Sequence, residues 1–218
     1  MGTKGIGVIE AGTGLGKSLA YLYPSITYAL TNNDGPTVIA SFTKNLQDQL
    51  FYREVPRIAK TLDVSFSATM MKGRNNYICK TRLDWLIADN SGRIFPREAE
   101  SLGPVIVWLH WTNTGDLTEC AGFKNNKGSG RVASLIRSDQ GFCNRKVCRN
   151  YNGCFITPLR EASQEADLIV VNHSLLLSDL TMPGILPSFP RVVIDEGHNL
   201  VNAAYNQFEV RFTRERVR

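Results

Sequence analysis

The sequence predicts an α/β fold: a parallel β-sheet with helices on both faces, interrupted by an inserted cysteine-rich segment. Continuous apolar runs at residues 37–40 and 167–171 alternate with helical patterns, which is typical of strands buried on both faces of a sheet. A glycine-rich turn at residues 10–18 joins an apolar run to a helical pattern. All five cysteines lie between residues 72 and 154, where strand periodicity is weak.

The predicted elements follow in order along the chain. Apolar runs predict strands at residues 6–9, 37–40, 64–70, 167–171 and 191–195. Helical patterns cover about 19–30, 45–58 and 82–88, and the second of these contains Pro56. The predicted domains are 1–71, the first part of the α/β body; 72–160, the insertion; and 161–218, the continuation of the body.

The overall composition narrows the class of protein. Of the 218 residues, 43% are apolar and 21% are charged, which suits a globular protein and excludes intrinsic disorder and collagen-like repeats. No window reaches the roughly 18 consecutive apolar residues of a membrane helix. The first residues contain no secretory signal. We therefore expect a cytoplasmic protein without a membrane partner.

Positive charge is concentrated in one part of the chain. The formal net charge is +5, but residues 121–154 alone carry seven basic residues and one acidic residue, a net of +6. A basic segment on a nearly neutral body predicts a local contact with a polyanion. The alternative is a solvated loop with ordinary basic residues.

Residues 10–18 form the strongest local motif, Glu-Ala-Gly-Thr-Gly-Leu-Gly-Lys-Ser. Between a strand and a helix, such a loop directs backbone N–H groups at phosphates, and the helix N-terminus adds a positive dipole end. Lys17 is expected to reach the β- and γ-phosphates, and Ser18 to bind Mg²⁺. Ala11 replaces the first Gly of the strict pattern, so a glycine-rich turn with an incidental lysine is the alternative. The predicted nucleotide-binding residues are Ala11, Gly12, Thr13, Gly14, Leu15, Gly16, Lys17 and Ser18.

An acidic motif follows the last predicted strand. It reads Asp195-Glu196-Gly197-His198. Nucleotide hydrolases with a phosphate loop use a second-strand Asp to hold Mg²⁺, a role that fits Asp195. Glu196 fits the residue that orients and deprotonates the attacking water, and His198 is placed to relay to a second ligand. Alone, the two carboxylates fit a surface turn equally well; with the phosphate loop, they predict Lys17, Asp195, Glu196 and His198 as catalytic residues.

The cysteines indicate thiolate ligands rather than disulfides. Their number is odd and no export signal is present, which favours a reduced compartment. Four thiolates suit a [4Fe–4S] cluster or structural zinc, and intervals of four and five residues between the last three are wider than the two-residue knuckles of zinc ribbons. We expect a cluster, with zinc or unligated cysteines as alternatives, and we interpret Cys120 as a buried or incidental free thiol. The predicted ligands are Cys79, Cys143, Cys148 and Cys154.

Together these motifs resemble the XPD/DinG superfamily-2 iron–sulfur DNA helicases, and the DinG-like branch most closely. In that branch the phosphate loop begins Glu-Ala-Gly-Thr-Gly and the acidic motif reads Asp-Glu-Gly-His, as here. Three further stretches are similar and occur in the family order. They are residues 41–50, the DNA-contacting motif Ia; 72–79, which leads to the first cluster cysteine; and 166–173, which follows the insertion.

The resemblance implies a RecA-like P-loop parallel sheet with an inserted cysteine-ligated iron–sulfur domain. It implies ATP, Mg²⁺ and a [4Fe–4S] cluster as cofactors. It also implies an ATP-dependent helicase that moves 5′ to 3′ on single-stranded or forked DNA, with a role in DNA repair. The family's adenine-recognition motif, arch and second motor domain have no counterpart in the sequence. We therefore expect this chain alone to bind nucleotide weakly and to hydrolyse it slowly.

The resemblance also implies DNA contacts. In motif Ia these fall on Thr43, Asn45 and Gln47, although Thr43 equally fits a helix N-cap. Basic residues around the cysteines are expected to attract phosphates by counterion release. They are Lys72, Arg74, Arg145, Lys146 and Arg149.

Other aromatic and histidine residues are expected to be structural. We place Trp85, Trp108 and Trp111 in the core and assign His173 no catalytic role. Two further functions stay open: a non-motor nucleic-acid-binding fragment, and a CRISPR-associated DinG-like accessory ATPase.

Overall fold

The computed structural model describes residues 5–12, 14–32, 34–89, 94–143, 148 and 151–209. It divides into two compact units. The chain up to Met70 and from Ala166 onward forms the first unit, and Met71–Glu165 forms the second.

A four-stranded parallel sheet lies at the centre of the first unit. Its strands are β1 (Thr37–Ser41), β2 (Ala68–Met70), β3 (Leu168–Asn172) and β4 (Arg191–Ile194), in the spatial order β2-β3-β1-β4. Thr37 in β1 lies opposite Leu168 in β3 and Arg191 in β4. All five residues of β1 are buried, as expected for an inner strand. The predicted α/β fold with a parallel sheet is therefore confirmed, and it is consistent with a RecA-like core.

Eleven α-helices occur in the described part of the chain, and none of them has the length and apolar character needed to cross a bilayer. In chain order they are α1 (Lys17–Asn32), α2 (Lys44–Gln49), α3 (Val55–Leu62), α4 (Lys80–Ala88), α5 (Pro96–Ala99), α6 (Leu102–Trp108), α7 (Ala121–Lys124), α8 (Ser129–Ile136), α9 (Ile156–Gln164), α10 (His173–Thr181) and α11 (Leu200–Phe208).

A single apolar cluster joins α1 and α3 to the sheet of the first unit. Leu22 and Ile26, one turn apart on α1, are both fully buried. They belong to the same cluster as Ile39 of β1 and Val170 of β3. Ile58 belongs to the same cluster and attaches α3 to it. Full burial of side chains of this size contributes about 1.5–3 kcal/mol each. The cluster therefore fixes α1, and with it the turn that precedes α1, against the sheet.

Pro56 is accommodated by a change of helix type. Residues Leu50–Glu54 form a π-helical turn between α2 and α3, in which the Val55 N–H bonds to the Leu50 carbonyl. Proline has no N–H to donate, so it is tolerated in the first turn of a helix, where Pro56 lies in α3. The predicted helix through 45–58 thus exists as three consecutive segments.

Two strand predictions need correction. The predicted strand at 6–9 is wrong: residues 5–12 have no regular secondary structure, and Ile6, Val8 and Ile9 are each more than 90% exposed. An apolar run forms a strand only where a neighbouring strand offers hydrogen bonds, and β4 does not pair with this segment. The strand predicted at 64–70 is present only as Ala68–Met70.

The second unit has its own core, formed mainly by short helices. Leu83 of α4, Val105 of α6 and Val132 of α8 are at its centre. Cys120 is buried in the same cluster, which fits its interpretation as a buried free thiol. The tryptophan prediction is only partly right, because Trp108 packs against this core whereas Trp85 and Trp111 are 55% and 81% exposed. Their sequence pattern was too weakly periodic to fix a buried face.

Gly115 is required by both its backbone conformation and its surroundings. Its φ is +67°, and a Cβ at this position would lie 2.3 Å from the Phe155 ring. Its carbonyl accepts the N–H of Ile78, the residue before Cys79. A side chain at this position would therefore displace the ring or the backbone beside a predicted ligand.

We predict that Gly115→Ala destabilises the protein by about 2 kcal/mol or more, because it combines a strained φ with a steric clash. Urea unfolding measures the difference. Gly103→Ala is the matched control: Gly103 lies in α6, and no atom would approach its Cβ within 4 Å. The control should be neutral or slightly stabilising, since Ala is the better helix former. Equal stability of the Gly115→Ala variant and the wild type would contradict this description of the turn.

Candidate functional site

The carboxyl ends of three parallel strands create the candidate site of the first unit. Strands β1, β3 and β4 end at Ser41, Asn172 and Ile194, and their registers place these ends at one edge of the sheet. Ligands of open parallel sheets bind at this edge. The Asp195 N–H continues the ladder by donating to the Ala40 carbonyl over 2.8 Å. The acidic motif is thereby fixed to the central strand.

The phosphate-loop sequence forms the turn into α1. Gly14 and Gly16 have φ of +80° and +78°, which only glycine adopts without strain. A Cβ at either residue would meet no atom within 4 Å. The glycines are therefore set by backbone conformation, while the space around the loop stays open to a ligand. The structure describes Ala11, Gly12, Gly14, Leu15, Gly16, Lys17 and Ser18; Thr13 lies outside the described residues.

Lys17 and Glu196 are in direct contact. The Lys17 Nζ donates to the Glu196 Oε1 over 2.6 Å, although the two residues are 179 positions apart in the sequence. The side chains are 33% and 28% exposed, so the pair is open to solvent. The phosphate loop and the acidic motif therefore belong to one site.

The contact changes the ionisation of both groups. The hydrogen bond from Lys17 lowers the pKa of Glu196, and the same bond raises the pKa of Lys17. Asp195 shifts the other way: burial, followed by the negative charge of Glu196, raises its pKa. Adjacent carboxylates with opposite shifts are suited to different chemical roles.

The turn after β4 aims the acidic side chains. Glu196 has a φ of +55°, a left-handed conformation that is uncommon for a residue with a side chain. A single 3₁₀ turn, Gly197–Asn199, follows it. His198 is exposed, with its Nδ1 3.6 Å from the Glu196 Oε2 and its Nε2 2.8 Å from the Asn199 amide nitrogen. The three residues of the motif that bear side chains thus lie on one short turn.

His173, the first residue of α10, supports this turn from the interior of the first unit. It is fully buried, and its Nε2 lies 2.9 Å from the Asp195 carbonyl oxygen. A carbonyl oxygen only accepts, so Nε2 carries the proton. Burial lowers the pKa of His173, which keeps the ring neutral. His173 therefore acts structurally, as expected, but on the backbone of a predicted metal ligand.

The motif Ia residues differ sharply in exposure. Thr43 is the N-cap of α2, and its hydroxyl accepts the Leu46 N–H over 3.2 Å. Asn45 is exposed. Gln47 is fully buried, and its side-chain amide donates to the Val170 carbonyl over 3.1 Å. This placement contradicts the expectation that Gln47 contacts DNA, because its side chain links α2 to β3.

The predicted cysteine ligands line one cavity in the second unit. The cavity has a volume of about 140 Å³, and its wall includes Cys79, Cys143, Cys148 and Cys154. Burial raises the pKa of the Cys79 thiol, and the neighbouring Cys148 and Cys154 raise it further. The Cys148 Sγ lies 3.4 Å from the Thr81 hydroxyl. The four thiols therefore face a common space, which Cys120 does not line.

The described side chains around this cavity do not converge on one point. Among the described residues, no three His, Cys, Asp or Glu side chains are grouped closely enough to hold a metal ion. A zinc site needs four sulfurs about 2.3 Å from one point. The donor set fits an iron–sulfur cluster in number and type, since four thiols surround one cavity.

Of the basic residues near the cysteines that were expected to contact DNA, the structure describes Lys72 and Arg74, and neither is fully exposed. Lys72 is buried, and its Nζ lies 2.7 Å from the Asp116 Oδ2, with both side chains no more than 3% exposed. This pairing contradicts the expected DNA contact of Lys72, because its charge is already matched inside the protein. Arg74 is half-buried. Arg145, Lys146 and Arg149 lie outside the described residues.

Several residues of the two sites escaped the sequence analysis. Tyr21 lies one helical turn beyond Lys17, close to Asp195, and its spacing was the available signal. Arg82 and Trp85 line the cysteine cavity. The Arg82 guanidinium also lies 4.8 Å from the centre of the Phe142 ring. No sequence pattern marked these two, since their placement depends on how α4 packs.

The chain is similar in sequence to several curated proteins. ATP-dependent DNA helicase YoaA of Haemophilus influenzae is 35% identical over 207 residues, which cover 92% of this chain and 31% of that protein. ATP-dependent helicase DinG of Mycobacterium tuberculosis is 32% identical over 213 residues, covering 89% of this chain and 31% of that protein. The chain is a homologue of the DinG-like helicases.

This homology extends over part of the relatives only. The chain spans about a third of the length of the curated relatives that it matches. A helicase named YoaA from Escherichia coli, 31% identical over 209 residues, is covered to the same extent. No family model matches the chain.

We predict that Lys17→Met raises the pKa of Glu196 towards its ordinary value, because it removes the ammonium that stabilises the carboxylate. A ¹³C NMR titration of the Glu side chains measures this change. Lys60→Met is the matched control, since Lys60 is an exposed lysine of α3 in the same unit. An unchanged Glu196 titration in Lys17→Met would mean that the pair does not exist in solution.

Proposed function

We propose that this chain is the ATP-binding part of a 5′–3′ DNA helicase motor of the DinG-like type. The observation that carries the proposal is the contact between Lys17 and Glu196, because it joins a phosphate loop to an acidic motif at the carboxyl edge of a parallel sheet. The names of the homologous proteins, which are ATP-dependent helicases, support the same reading.

The residues at this edge fit a magnesium nucleotide. The turn leaves open space beside Gly14 and Gly16, and α1 begins at Lys17, so its positive dipole end faces that turn. Ser18 and Asp195 are the oxygen ligands that Mg²⁺ prefers. When bound, Mg²⁺ would neutralise charge on the phosphates.

The Lys17–Glu196 pair suggests how binding and hydrolysis are coupled. In the pair, Lys17 keeps the pKa of Glu196 low and so makes it a weak base. A phosphate group competes for the Lys17 ammonium, and the loss of that partner raises the basicity of Glu196. The carboxylate then takes a proton from water more readily. His198, whose Nδ1 lies 3.6 Å from the Glu196 Oε2, is placed to relay to a second ligand.

The second unit supplies the proposed iron–sulfur part of the same motor. Cys79, Cys143, Cys148 and Cys154 would hold a [4Fe–4S] cluster, whose role is to stabilise this unit. Zinc is the weaker candidate, because the intervals between the last three cysteines are wider than the two-residue knuckles of zinc ribbons. Single-stranded or forked DNA is the proposed partner, with Thr43 and Asn45 as contacts in the first unit and Arg74 in the second. Arg145, Lys146 and Arg149 stay in this proposal on their sequence positions alone.

We predict that Lys17→Ala weakens Mg–ATP binding at least about tenfold, because the phosphates lose their cationic partner. Glu196→Gln should keep binding but slow hydrolysis by on the order of a hundredfold, through loss of the base. A fluorescent ATP analogue measures binding, and phosphate release with single-stranded DNA measures hydrolysis. The wild-type chain itself should turn over slowly.

Lys60→Ala serves as the control for this pair of variants and should match the wild type in both assays. DNA binding that persists without any effect of ATP or of Lys17→Ala would instead support the non-motor nucleic-acid-binding function. Turnover by the wild-type chain approaching that of a complete motor would contradict the expectation of slow hydrolysis.

We predict about four iron and four acid-labile sulfide atoms per chain after purification without oxygen. Cys148→Ser should lose both, because it removes a thiolate ligand from the cavity. Cys120→Ser is the matched control and should retain them, since Cys120 is buried in the helical core away from the cavity. Metal and sulfide analysis provides the measurement.

Two results would overturn the proposed ligand set. One zinc and no sulfide per chain would assign a structural zinc module. Equal metal loss in Cys120→Ser and Cys148→Ser would mean that the four ligands are wrongly chosen.

A further inference from the structure

Tyr21 combines a central position with an unused polar group. It follows Ser18 by three positions and Lys17 by four, so all three share one face of α1. Its ring packs against the apolar cluster of the first unit. Its hydroxyl is shielded from solvent and forms no hydrogen bond of good geometry with any described residue. Buried hydroxyls of this kind are rare, and each needs an explanation.

The surroundings of the hydroxyl point to its role. It lies close to both the Ser18 hydroxyl and the Asp195 carboxylate, which are the two proposed magnesium ligands. The backbone of Asp195 is already fixed, by Ala40 on its amide and His173 on its carbonyl. The rotation of the Asp195 carboxylate is the part that these bonds leave undetermined.

We infer that Tyr21 is a positioning residue for the magnesium site, whose hydroxyl orients the Asp195 carboxylate relative to the Ser18 hydroxyl. This inference rests on the proposed function. A hydrogen bond from a phenol to a carboxylate is charge-assisted and therefore strong. The phenol of a tyrosine is protonated at neutral pH and is therefore able to donate this bond.

A packing role alone predicts a different outcome. If the ring only filled the core, the hydroxyl would be a buried group without a function. Its removal would then be neutral or would stabilise the protein, with no effect on Mg²⁺. Tyr21→Phe separates the two roles, because it retains the ring and removes only the hydroxyl. Tyr23→Phe is the matched control, since Tyr23 lies on the same helix and is 51% exposed.

The experiment titrates Mg²⁺ against binding of a fluorescent ATP analogue to the 218-residue chain and to both variants. Tyr21→Phe should raise the Mg²⁺ concentration for half-maximal binding by on the order of tenfold, as expected for loss of a group that orients a metal ligand. Binding of the analogue in EDTA, and the melting temperature, should stay at the wild-type level. Tyr23→Phe should match the wild type throughout.

An identical Mg²⁺ dependence in Tyr21→Phe and the wild type would overturn the inference while leaving the nucleotide site intact. A parallel loss of Mg²⁺-dependent and Mg²⁺-free binding, together with a lower melting temperature, would also overturn it, because the hydroxyl would then stabilise the fold as a whole and not the magnesium site. Absence of Mg²⁺-dependent binding in the wild-type chain would overturn the proposed function, and this inference with it.

Discussion

The parallel pairing of β1 with β3 on one side and β4 on the other determines where every residue of the candidate nucleotide site lies. Thr37 lies opposite both Leu168 and Arg191. The three strands are therefore aligned, and their carboxyl ends lie side by side. A register shift of one residue would move the end of β4 by about 3.3 Å. That displacement exceeds the 2.6 Å separation of Lys17 and Glu196 and would abolish their contact. The chemistry of the site therefore depends on the backbone hydrogen bonds that pair these strands.

The two neighbouring carboxylates of the site, Asp195 and Glu196, lie in different environments. Asp195 is partly buried and held by backbone contacts, whereas Glu196 reaches towards solvent and meets Lys17. Their pKa values consequently move in opposite directions. Two adjacent carboxylates therefore differ both in burial and in the charge that each one meets.

Local sequence patterns were sufficient where one physical rule dominated. The apolar runs of β1 and β3 predicted buried parallel strands, and the presence of both a phosphate loop and an acidic motif predicted that the two belong to one nucleotide site. The predictions failed where tertiary contacts decide. The 6–9 run lacks a neighbouring strand, and Gln47 and Lys72 satisfy their polar groups internally, on Val170 and Asp116. Composition alone does not distinguish a lysine that is available to bind a phosphate from one that is paired with a carboxylate inside the protein.

The connection between β2 and β3 has a consequence for how the chain is assembled. The chain leaves the first unit just after β2 and returns just before β3, and the two points are joined where Asp167 accepts from the Ser67 amide over 2.7 Å and from its hydroxyl over 2.8 Å. The intervening segment, Met71–Glu165, has about 95 residues, and both of its ends are held at neighbouring strands of the sheet. For the sheet, it is a loop whose two ends are closed. The entropic cost of closing such a loop grows only logarithmically, by about 0.6 kcal/mol for each doubling of length. A change in the length of this segment should therefore alter the entropic cost of assembling the sheet by only a small amount.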